Sequence, residues 1–203
     1  MNIPSKKTCI QLMQKMKMFP HIMAHSTQVC RVAVFFTDRL IAQKIDLTRD
    51  LVSTSALLHD ITKTRALETG ENHAATGEKL LVELGYSQIG AIVGQHVLLD
   101  NFNSCSAIDE AFLVNYADKR VLHDKITTLS ERMEYIIERY GNKSEKKDRY
   151  YKLWEETRQM EKKLFDQLDF HPDSLPEKMD VWDNHEFDEI LEIAENAQKS
   201  ARN

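Results

Sequence analysis

Residues 21 to 171 of this 203-residue chain contain no proline. The four prolines lie outside that stretch, at Pro4, Pro20, Pro172 and Pro176. Proline removes a backbone donor and clashes with the preceding helical turn, so it is excluded from helix interiors. A long proline-free stretch therefore favours a protein built from helices.

Apolar residues recur at steps of three and four along nearly the whole chain, as on one face of an α-helix. This spacing predicts helices over residues 5–18, 21–43, 46–59, 72–84, 87–98, 107–121, 126–140, 144–168 and 186–199. No segment shows the two-residue alternation of a half-buried strand. We therefore predict an all-α fold, with a helical domain over residues 1–170 and an acidic tail over residues 171–203 that contains a short helix.

The composition excludes several classes of protein. The chain is 42% hydrophobic, which is enough for a buried core, but its apolar runs are only a few residues long, which excludes a membrane span. The first residues include lysines but no apolar segment of a secretory signal. Three widely spaced cysteines, Cys9, Cys30 and Cys105, argue against a disulfide framework and favour a reducing, cytoplasmic setting.

The net charge of −5 is unevenly distributed. Residues 1–20 hold four lysines and no acid, whereas residues 177–195 hold eight acids and one lysine. The rest of the chain is close to neutral, so it offers no broad basic surface for nucleic acid. We therefore expect neither nucleic acid nor a membrane as a partner, and the sequence leaves the oligomeric state open.

Metal-binding residue types lie on the apolar faces of several predicted helices. Burying such groups is costly unless something pairs with them, and a divalent metal pairs well with imidazoles and carboxylates. A single inward histidine is more often a hydrogen-bonded core residue, so the interpretation depends on the whole set. Its members are His25, His59, His73, His96 and Asp118.

One adjacent pair, His59-Asp60, gives this set a recognisable order. His25 lies 34 residues upstream of the pair and Asp118 lies 58 residues downstream. In this order the sequence resembles the HD-domain superfamily of metal-dependent phosphohydrolases, over about residues 21–121. The resemblance implies an antiparallel helical core with the C-terminal helices packed on it. It is similar above all to the small single-domain branch that cleaves nucleotide polyphosphates.

The resemblance also implies two divalent metal ions, with Fe or Mn favoured and Co, Ni, Mg or Zn as alternatives. Asp60 would bridge the ions opposite a bridging hydroxide and would thereby be essential for catalysis. The implied ligands of the first ion are His25, His59, Asp60 and Asp118, and the second ion would add His73 and His96. A purely structural alternative for His73 is a helix cap, because it begins a predicted helix.

Basic residues follow both halves of the pattern and are suited to spreading phosphoryl charge. Lys63 matches a family lysine that contacts phosphate, and Arg65, Lys119 and Arg120 are further candidates for substrate binding. Thr62 stands where many members have glycine. The Gly-Tyr-Pro triplet of the cyclic-dinucleotide branch is missing, which argues against that substrate.

We therefore expect a phosphohydrolase that acts on a small phosphorylated metabolite, with a nucleotide favoured. Two alternatives stay open. A di-iron oxygenase of the related inositol-oxygenase type uses the same six ligands, and a nucleotide-binding sensor would retain the fold without turnover. His21, His123, His171 and His185 are interpreted as non-ligands.

Overall fold

The computed structural model describes residues 2–100, 102–103, 107–140, 144–182 and 185–200. The predicted all-α class is confirmed, with one small hairpin, β1 and β2, after the seventh helix. A 3-10 turn at Pro172–Ser174 precedes α10. The elements are α1 (Lys6–Lys15), α2 (Pro20–Ala42), α3 (Arg49–Leu58), α4 (Lys63–Thr69), α5 (His73–Glu83), α6 (Ser87–Gly94), α7 (Glu110–Lys119), β1 (Val121–Leu122), β2 (Lys125–Ile126), α8 (Leu129–Tyr140), α9 (Ser144–Phe165), α10 (Leu175–Asp180) and α11 (Asp188–Ser200).

The central element is α2, which packs against α3, α7 and α11. Pro20 occupies its first turn, where the missing backbone donor costs nothing and the fixed φ angle suits a helix. Its apolar residues are buried around most of its circumference, as expected for a core helix. Phe36 is fully buried against the rings of Tyr116 and Phe165, which brings α7 and α9 onto the same core. Burial of one such side chain contributes about 1.5–3 kcal/mol.

Several boundaries differ from the sequence-based prediction. Helix α3 ends at Leu58 and α6 ends at Gly94, so His59 and His96 follow helices instead of lying within them. The predicted polar loop contains a short helix, α4, which ends at Gly70 in the left-handed conformation that glycine favours. The two-residue strands β1 and β2 are too short to show an alternating pattern.

The C-terminal segment packs on the helical core. Leu175, Met179, Phe187 and Ile190 are buried in the same apolar cluster as α2. The acidic residues of this segment also make contacts with the core, because Glu186 pairs with Arg49 and Lys6, which come from the N-terminal half. Apolar burial and ion pairs therefore both hold this segment against the helices before it.

Two of the three cysteines are buried free thiols, Cys9 and Cys30, and Cys105 lies outside the described residues. Burial raises the pKa of Cys9 to about 12, so this thiol is unreactive. Among the described helices, none is both long enough and apolar enough to cross a bilayer.

Candidate metal centre

The fold brings all six predicted metal ligands together in one cluster, in which four are buried and His25 and His73 are partly exposed. Helix α2 contributes one residue, the turn after α3 contributes two, and the start of α5, the residues after α6 and the end of α7 complete it. We refer to this group as the ligand cluster; its members are His25, His59, Asp60, His73, His96 and Asp118. Residues that are up to 93 positions apart thus meet at hydrogen-bond distance, as His25 and Asp118 do.

The orientation of His59 is set by the end of α3. Its Nδ1 lies 2.7 Å from the carbonyl oxygen of Ala56, one turn earlier. A carbonyl only accepts hydrogen bonds, so Nδ1 carries the proton and Nε2 presents a lone pair. That Nε2 is buried and has no hydrogen-bond partner in the described part of the chain. Burial lowers the pKa of His59 to about 3, which keeps the ring neutral and able to bind a metal.

Two further histidines are held in the same way. His96 Nδ1 lies 2.7 Å from the carbonyl oxygen of Val93, and His25 Nδ1 lies 2.7 Å from that of His123. Metal-binding histidines commonly donate their other ring N–H to a carbonyl or carboxylate, which fixes both the tautomer and the ring orientation. In all three residues Nε2 is therefore the atom that faces the cluster.

The Nε2 lone pairs of these histidines therefore face carboxylate oxygens, which are also hydrogen-bond acceptors. His25 Nε2 lies 3.1 Å from Asp118 Oδ1, and His59 Nε2 lies 3.5 Å from Asp60 Oδ2 and 3.9 Å from Asp118 Oδ1. Lone pairs facing carboxylate oxygens in a dry interior repel each other unless a cation lies between them. The residues present therefore fit a divalent ion, and the orphaned Nε2 of His59 is the clearest sign of it.

Asp60 faces two groups of ligands with its two oxygens. Oδ2 is directed at His59, whereas Oδ1 lies 3.2 Å from His73 Nε2 and 3.5 Å from His96 Nε2. Two sets of three residues place one ligand atom each within 4.8 Å of the others: His25, His59 and Asp118 form one set, and His59, Asp60 and His96 form the other. Asp60 belongs to the second set and directs Oδ2 at His59, which belongs to both, so its two oxygens are arranged as those of a carboxylate between two ions would be.

Both carboxylates are ionised despite their burial. Burial alone would raise the pKa of Asp60, but the electrostatic interactions with the neighbouring His59 and Lys63 side chains hold that pKa well below its usual value. Burial likewise opposes ionisation of Asp118, and the charge of Lys119 outweighs it, so the pKa of Asp118 is also well below the ordinary range. The cluster thus carries two buried negative charges for a cation to neutralise.

Three cations border the cluster. Lys63 Nζ lies 3.4 Å from Asp60 Oδ1, and Lys119 Nζ lies 3.2 Å from Asp118 Oδ2 and 2.5 Å from the carbonyl oxygen of His96. Arg132 Nη2, from α8, lies 3.5 Å from Asp118 Oδ1. All three side chains also line an open cavity of about 360 Å³ beside the ligands, so they face the space in which a substrate would bind.

Arg120 is placed differently from its predicted role in substrate binding. It is fully buried and directs its guanidinium away from the ligand cluster, to Tyr116, Glu161 and two backbone carbonyls. Consecutive residues at the end of a helix face different directions, so Lys119 reaches the cluster and Arg120 cannot. The structure corrects this part of the prediction, because Arg120 is a core residue.

Arg65 is also directed elsewhere. Its Nε donates to Glu71 Oε1 at 2.5 Å, and the side chain is largely exposed. Arg65 does not line the described cavities that adjoin the ligand cluster. A direct contact with substrate is therefore not supported by its position.

The prediction missed Arg132, although the sequence contained a signal for it. Arg132 lies three residues after Leu129 and four before Ile136, so it interrupts the apolar stripe of its helix. The same criterion, a polar residue on an apolar face, identified the histidines.

The helix-cap alternative for His73 is also resolved, because Asn72 caps α5 by accepting from the N–H groups of Ala74 and Ala75.

A helical fold that surrounds a cluster of buried histidines and carboxylates is typical of metal-binding helical proteins. The family model of the HD domain matches residues 23–169, and the chain belongs to this family. HD domains form a superfamily of metal-dependent phosphohydrolases, so membership implies binding of a divalent metal. Comparison with curated proteins and with solved structures finds no match.

Proposed function

We propose that this protein is a metal-dependent phosphohydrolase that cleaves a phosphoester or phosphoanhydride bond of a small phosphorylated metabolite, and that this metabolite is a nucleotide. The observation that carries the proposal is the convergence of imidazole nitrogens and carboxylate oxygens, with one nitrogen unpaired, beside three cations. Acceptors such as His59 Nε2 call for metal ions. The cations at the mouth of the same cluster call for an anionic substrate.

In this proposal the six residues of the ligand cluster hold two divalent ions. The first ion takes His25, His59, Asp60 and Asp118, and the second takes Asp60, His73 and His96. Bound ions of this kind supply Lewis acidity toward a phosphoryl oxygen and make water more acidic. The cluster leaves the choice of metal open, and Fe or Mn suits its mixture of imidazole and carboxylate.

The residues around the ligands have separate tasks. Lys63 and Arg132 face the cavity and would hold phosphoryl oxygens, which gain charge in the transition state. Lys119 is buried against Asp118 and the carbonyl oxygen of His96, so it positions these groups. Hydrolysis joins an oxygen of water to phosphorus, breaks the bond to the leaving oxygen and passes a proton to that oxygen.

The cations also separate the proposal from its alternatives. A di-iron oxygenase would use the same six ligands, but its chemistry does not require three basic side chains around the centre. A sensor without turnover would not need every ligand to be present.

A cytoplasmic location is part of the proposal and rests on the cysteine content and on the nucleotide substrate.

The experiment combines metal analysis with a substrate panel. Protein purified without chelators should contain up to two divalent ions per chain and should release phosphate or nucleotide products from at least one nucleotide in the presence of Mn or Fe. A chelator should abolish turnover, and Mn or Fe should restore it. Substrate consumption that requires oxygen would favour the oxygenase instead. Tight nucleotide binding with no turnover under any metal would favour the sensor.

A further inference from the structure

Thr62 is a departure from the family pattern, because glycine stands at this position in many members. It ends the turn that begins with His59, and α4 follows it directly. Its φ angle of −106° is open to any residue, so the backbone conformation does not require glycine. The side chain is buried, with 1% of its surface exposed. A buried hydroxyl needs a hydrogen-bond partner, so the contacts of this group show what threonine adds here.

The Thr62 hydroxyl does not cap the helix that it precedes. A threonine before a helix commonly accepts from an N–H group of the first turn, but Thr62 forms no such bond with the described residues of α4. Its Oγ1 donates instead to the carbonyl oxygen of His73 at 2.8 Å and lies 3.0 Å from Thr76 Oγ1. Because its one proton is directed at the carbonyl, Thr76 is the donor between the two hydroxyls. Thr62 therefore makes both of these contacts with the first turn of α5.

These contacts join two segments that carry proposed metal ligands. Asp60 lies two residues before Thr62, and His73 is the first residue of α5. Helix α4 lies between the two segments in the chain. Helix α5 approaches the turn closely at Gly77, where a Cβ atom would lie 3.6 Å from Thr62 Oγ1 and 3.1 Å from Val93 Cγ1. The Thr62 hydroxyl thus links the segment of the proposed bridging carboxylate directly to the start of the helix that carries His73.

His73 depends on its backbone for its position more than the other histidines of the ligand cluster do. His25, His59 and His96 each have Nδ1 at 2.7 Å from a carbonyl oxygen, which fixes the ring. The Nδ1 of His73 forms no hydrogen bond with the residues that the structure describes, while its Nε2 lies 3.2 Å from Asp60 Oδ1. The position of its ring is therefore set through the backbone, and Thr62 binds the carbonyl group of that backbone.

We propose that Thr62 is a positioning residue for the second metal ion. Its hydroxyl holds the carbonyl group of His73, and through it the imidazole, within reach of the ion that Asp60 also binds. This inference rests on the proposed function, in which Asp60, His73 and His96 hold the second ion. Loss of a group that orients a metal ligand typically weakens metal binding by about 10–100-fold. The affinity for the second ion should therefore depend on the Thr62 hydroxyl, and the affinity for the first should not.

The test measures binding of Mn²⁺ without substrate, so it does not depend on turnover. Mn²⁺ is titrated into full-length protein that a chelator has freed of metal, and calorimetry gives a dissociation constant for each ion. His73→Ala should keep only the first ion, which identifies the constant of the second. Thr62→Val keeps nearly the same shape but lacks the hydroxyl. It should weaken the second ion about tenfold and leave the first within about twofold.

Further variants separate positioning from a general effect on the fold. Thr62→Ser keeps the hydroxyl and should hold the second ion within about twofold of wild type. Thr62→Ala removes the hydroxyl without placing a methyl group against the His73 carbonyl. It should match Thr62→Val and takes its place if melting curves show that the valine variant is not folded.

Thr37→Val is the matched control. Thr37 is also fully buried and donates to a backbone carbonyl, that of Ala33, at 2.8 Å. It lies about three turns of α2 beyond His25, away from the ligand cluster. Loss of this hydroxyl should leave both dissociation constants unchanged, whatever it does to the melting temperature.

Unchanged affinity for the second ion in the folded Thr62 variants that lack the hydroxyl would overturn the proposal. Equal losses for both ions, an equal loss in Thr37→Val, no recovery in Thr62→Ser, or a single ion in wild type would also overturn it. The expected pattern of metal binding without hydrolysis of any phosphorylated compound would refute the hydrolase and leave the role of Thr62 standing. Hydrolysis by wild type, with metal affinities that do not depend on Thr62, would do the reverse.

Discussion

Asp118 and Arg120 lie two residues apart near the end of α7, yet they belong to two buried polar clusters of different kinds. Around Arg120 each guanidinium nitrogen has an acceptor: Nη1 bonds to the Tyr116 hydroxyl at 2.8 Å, Nε to the carbonyl oxygen of Thr127 at 2.9 Å, and Nη2 to that of Pro172 at 2.9 Å. Glu161 accepts from both Tyr116 and Arg120 and balances the charge. This cluster needs nothing from outside the chain.

When donors and acceptors are matched in the same way, the cluster around Asp118 is incomplete. Lone pairs of His25 and His59 face carboxylate oxygens, and the Nε2 of His59 has no partner within the described residues. Unsatisfied buried groups cost about 1–3 kcal/mol each. The comparison shows that a complete polar cluster stabilises the fold, whereas an incomplete one marks the place where a ligand supplies what is missing.

Substitution of Asp60 should produce the largest effect in the molecule, and it should be an effect on activity. Asp60→Asn keeps the size of the side chain but removes the charge proposed to hold both ions. We expect kcat/KM to fall by about three orders of magnitude or more, with loss of bound metal, while the chain stays folded. Elemental analysis and steady-state kinetics measure the two effects. Retention of more than about a tenth of the activity would disprove the bridging role.

Substitution of Arg120 should have the opposite signature. Arg120→Met removes the cation from this buried cluster, which leaves the charge of Glu161 unbalanced and the carbonyl oxygens of Thr127 and Pro172 without their donor. We expect a loss of about 3 kcal/mol in the free energy of unfolding, measured by urea denaturation, with unchanged metal content in the folded protein. Arg158→Met, on the exposed face of α9, is the control. Loss of metal in Arg120→Met at full stability would remove the distinction between the clusters.

The ligand cluster itself can be divided by metal counting. His73 and His96 are proposed to serve only the second ion, so His73→Ala and His96→Ala should each halve the metal content and leave one bound ion. His25→Ala and Asp118→Ala should lose the first ion and lower the melting temperature, because unpaired groups stay buried. His171→Ala, at an exposed site, is the control. If wild-type protein holds one ion and the His73 and His96 variants hold the same, the centre is mononuclear.

The smallest expected effect concerns a third charged group, in which Glu186 joins the C-terminal segment to the N-terminal half. The hydrogen bond from Arg49 lowers the pKa of Glu186 to about 2, below the ordinary value of 4.5. A carboxyl group with a lowered pKa stabilises the fold above its unfolded pKa, and this contribution disappears as the pH falls from about 4.5 to 2. The site is partly exposed, so we expect less than about 1 kcal/mol.

The matching experiment compares wild-type protein with Glu186→Gln by urea denaturation at pH 6 and pH 3. Wild type should be the more stable at pH 6, and the difference should shrink at pH 3, because the carboxyl group is then mostly protonated in the unfolded chain but still ionised in the folded protein. A difference that stays constant between the two pH values would show that the pairing with Arg49 and Lys6 contributes nothing through charge. Apolar burial of residues such as Phe187 and Ile190 would then be the main contact that holds the segment.

The sequence alone determined the helical class and the identity of the six proposed ligands. The class follows from a local rule, because a helix repeats every 3.6 residues, and the same periodicity places five histidine and aspartate residues on apolar faces where they need a partner. The full ligand set, including Asp60, is what the resemblance to the HD domain implies. The structure confirms the class and brings the six residues together, from His25 to Asp118. Helix ends were less predictable, because the turn at His59-Asp60 is held by contacts with distant residues such as His73.

Only the tertiary structure shows which basic side chains face the proposed metal ligands. Lys119 and Arg120 are adjacent in sequence and equal in charge, but one contacts the carbonyl oxygen of His96 and the other that of Pro172. Arg132 reaches Asp118 only because α8 folds back after the hairpin of β1 and β2, whose two-residue strands have no periodic signal. Composition shows how many charged side chains a protein has, and the long-range packing of helices decides which groups each of these side chains contacts.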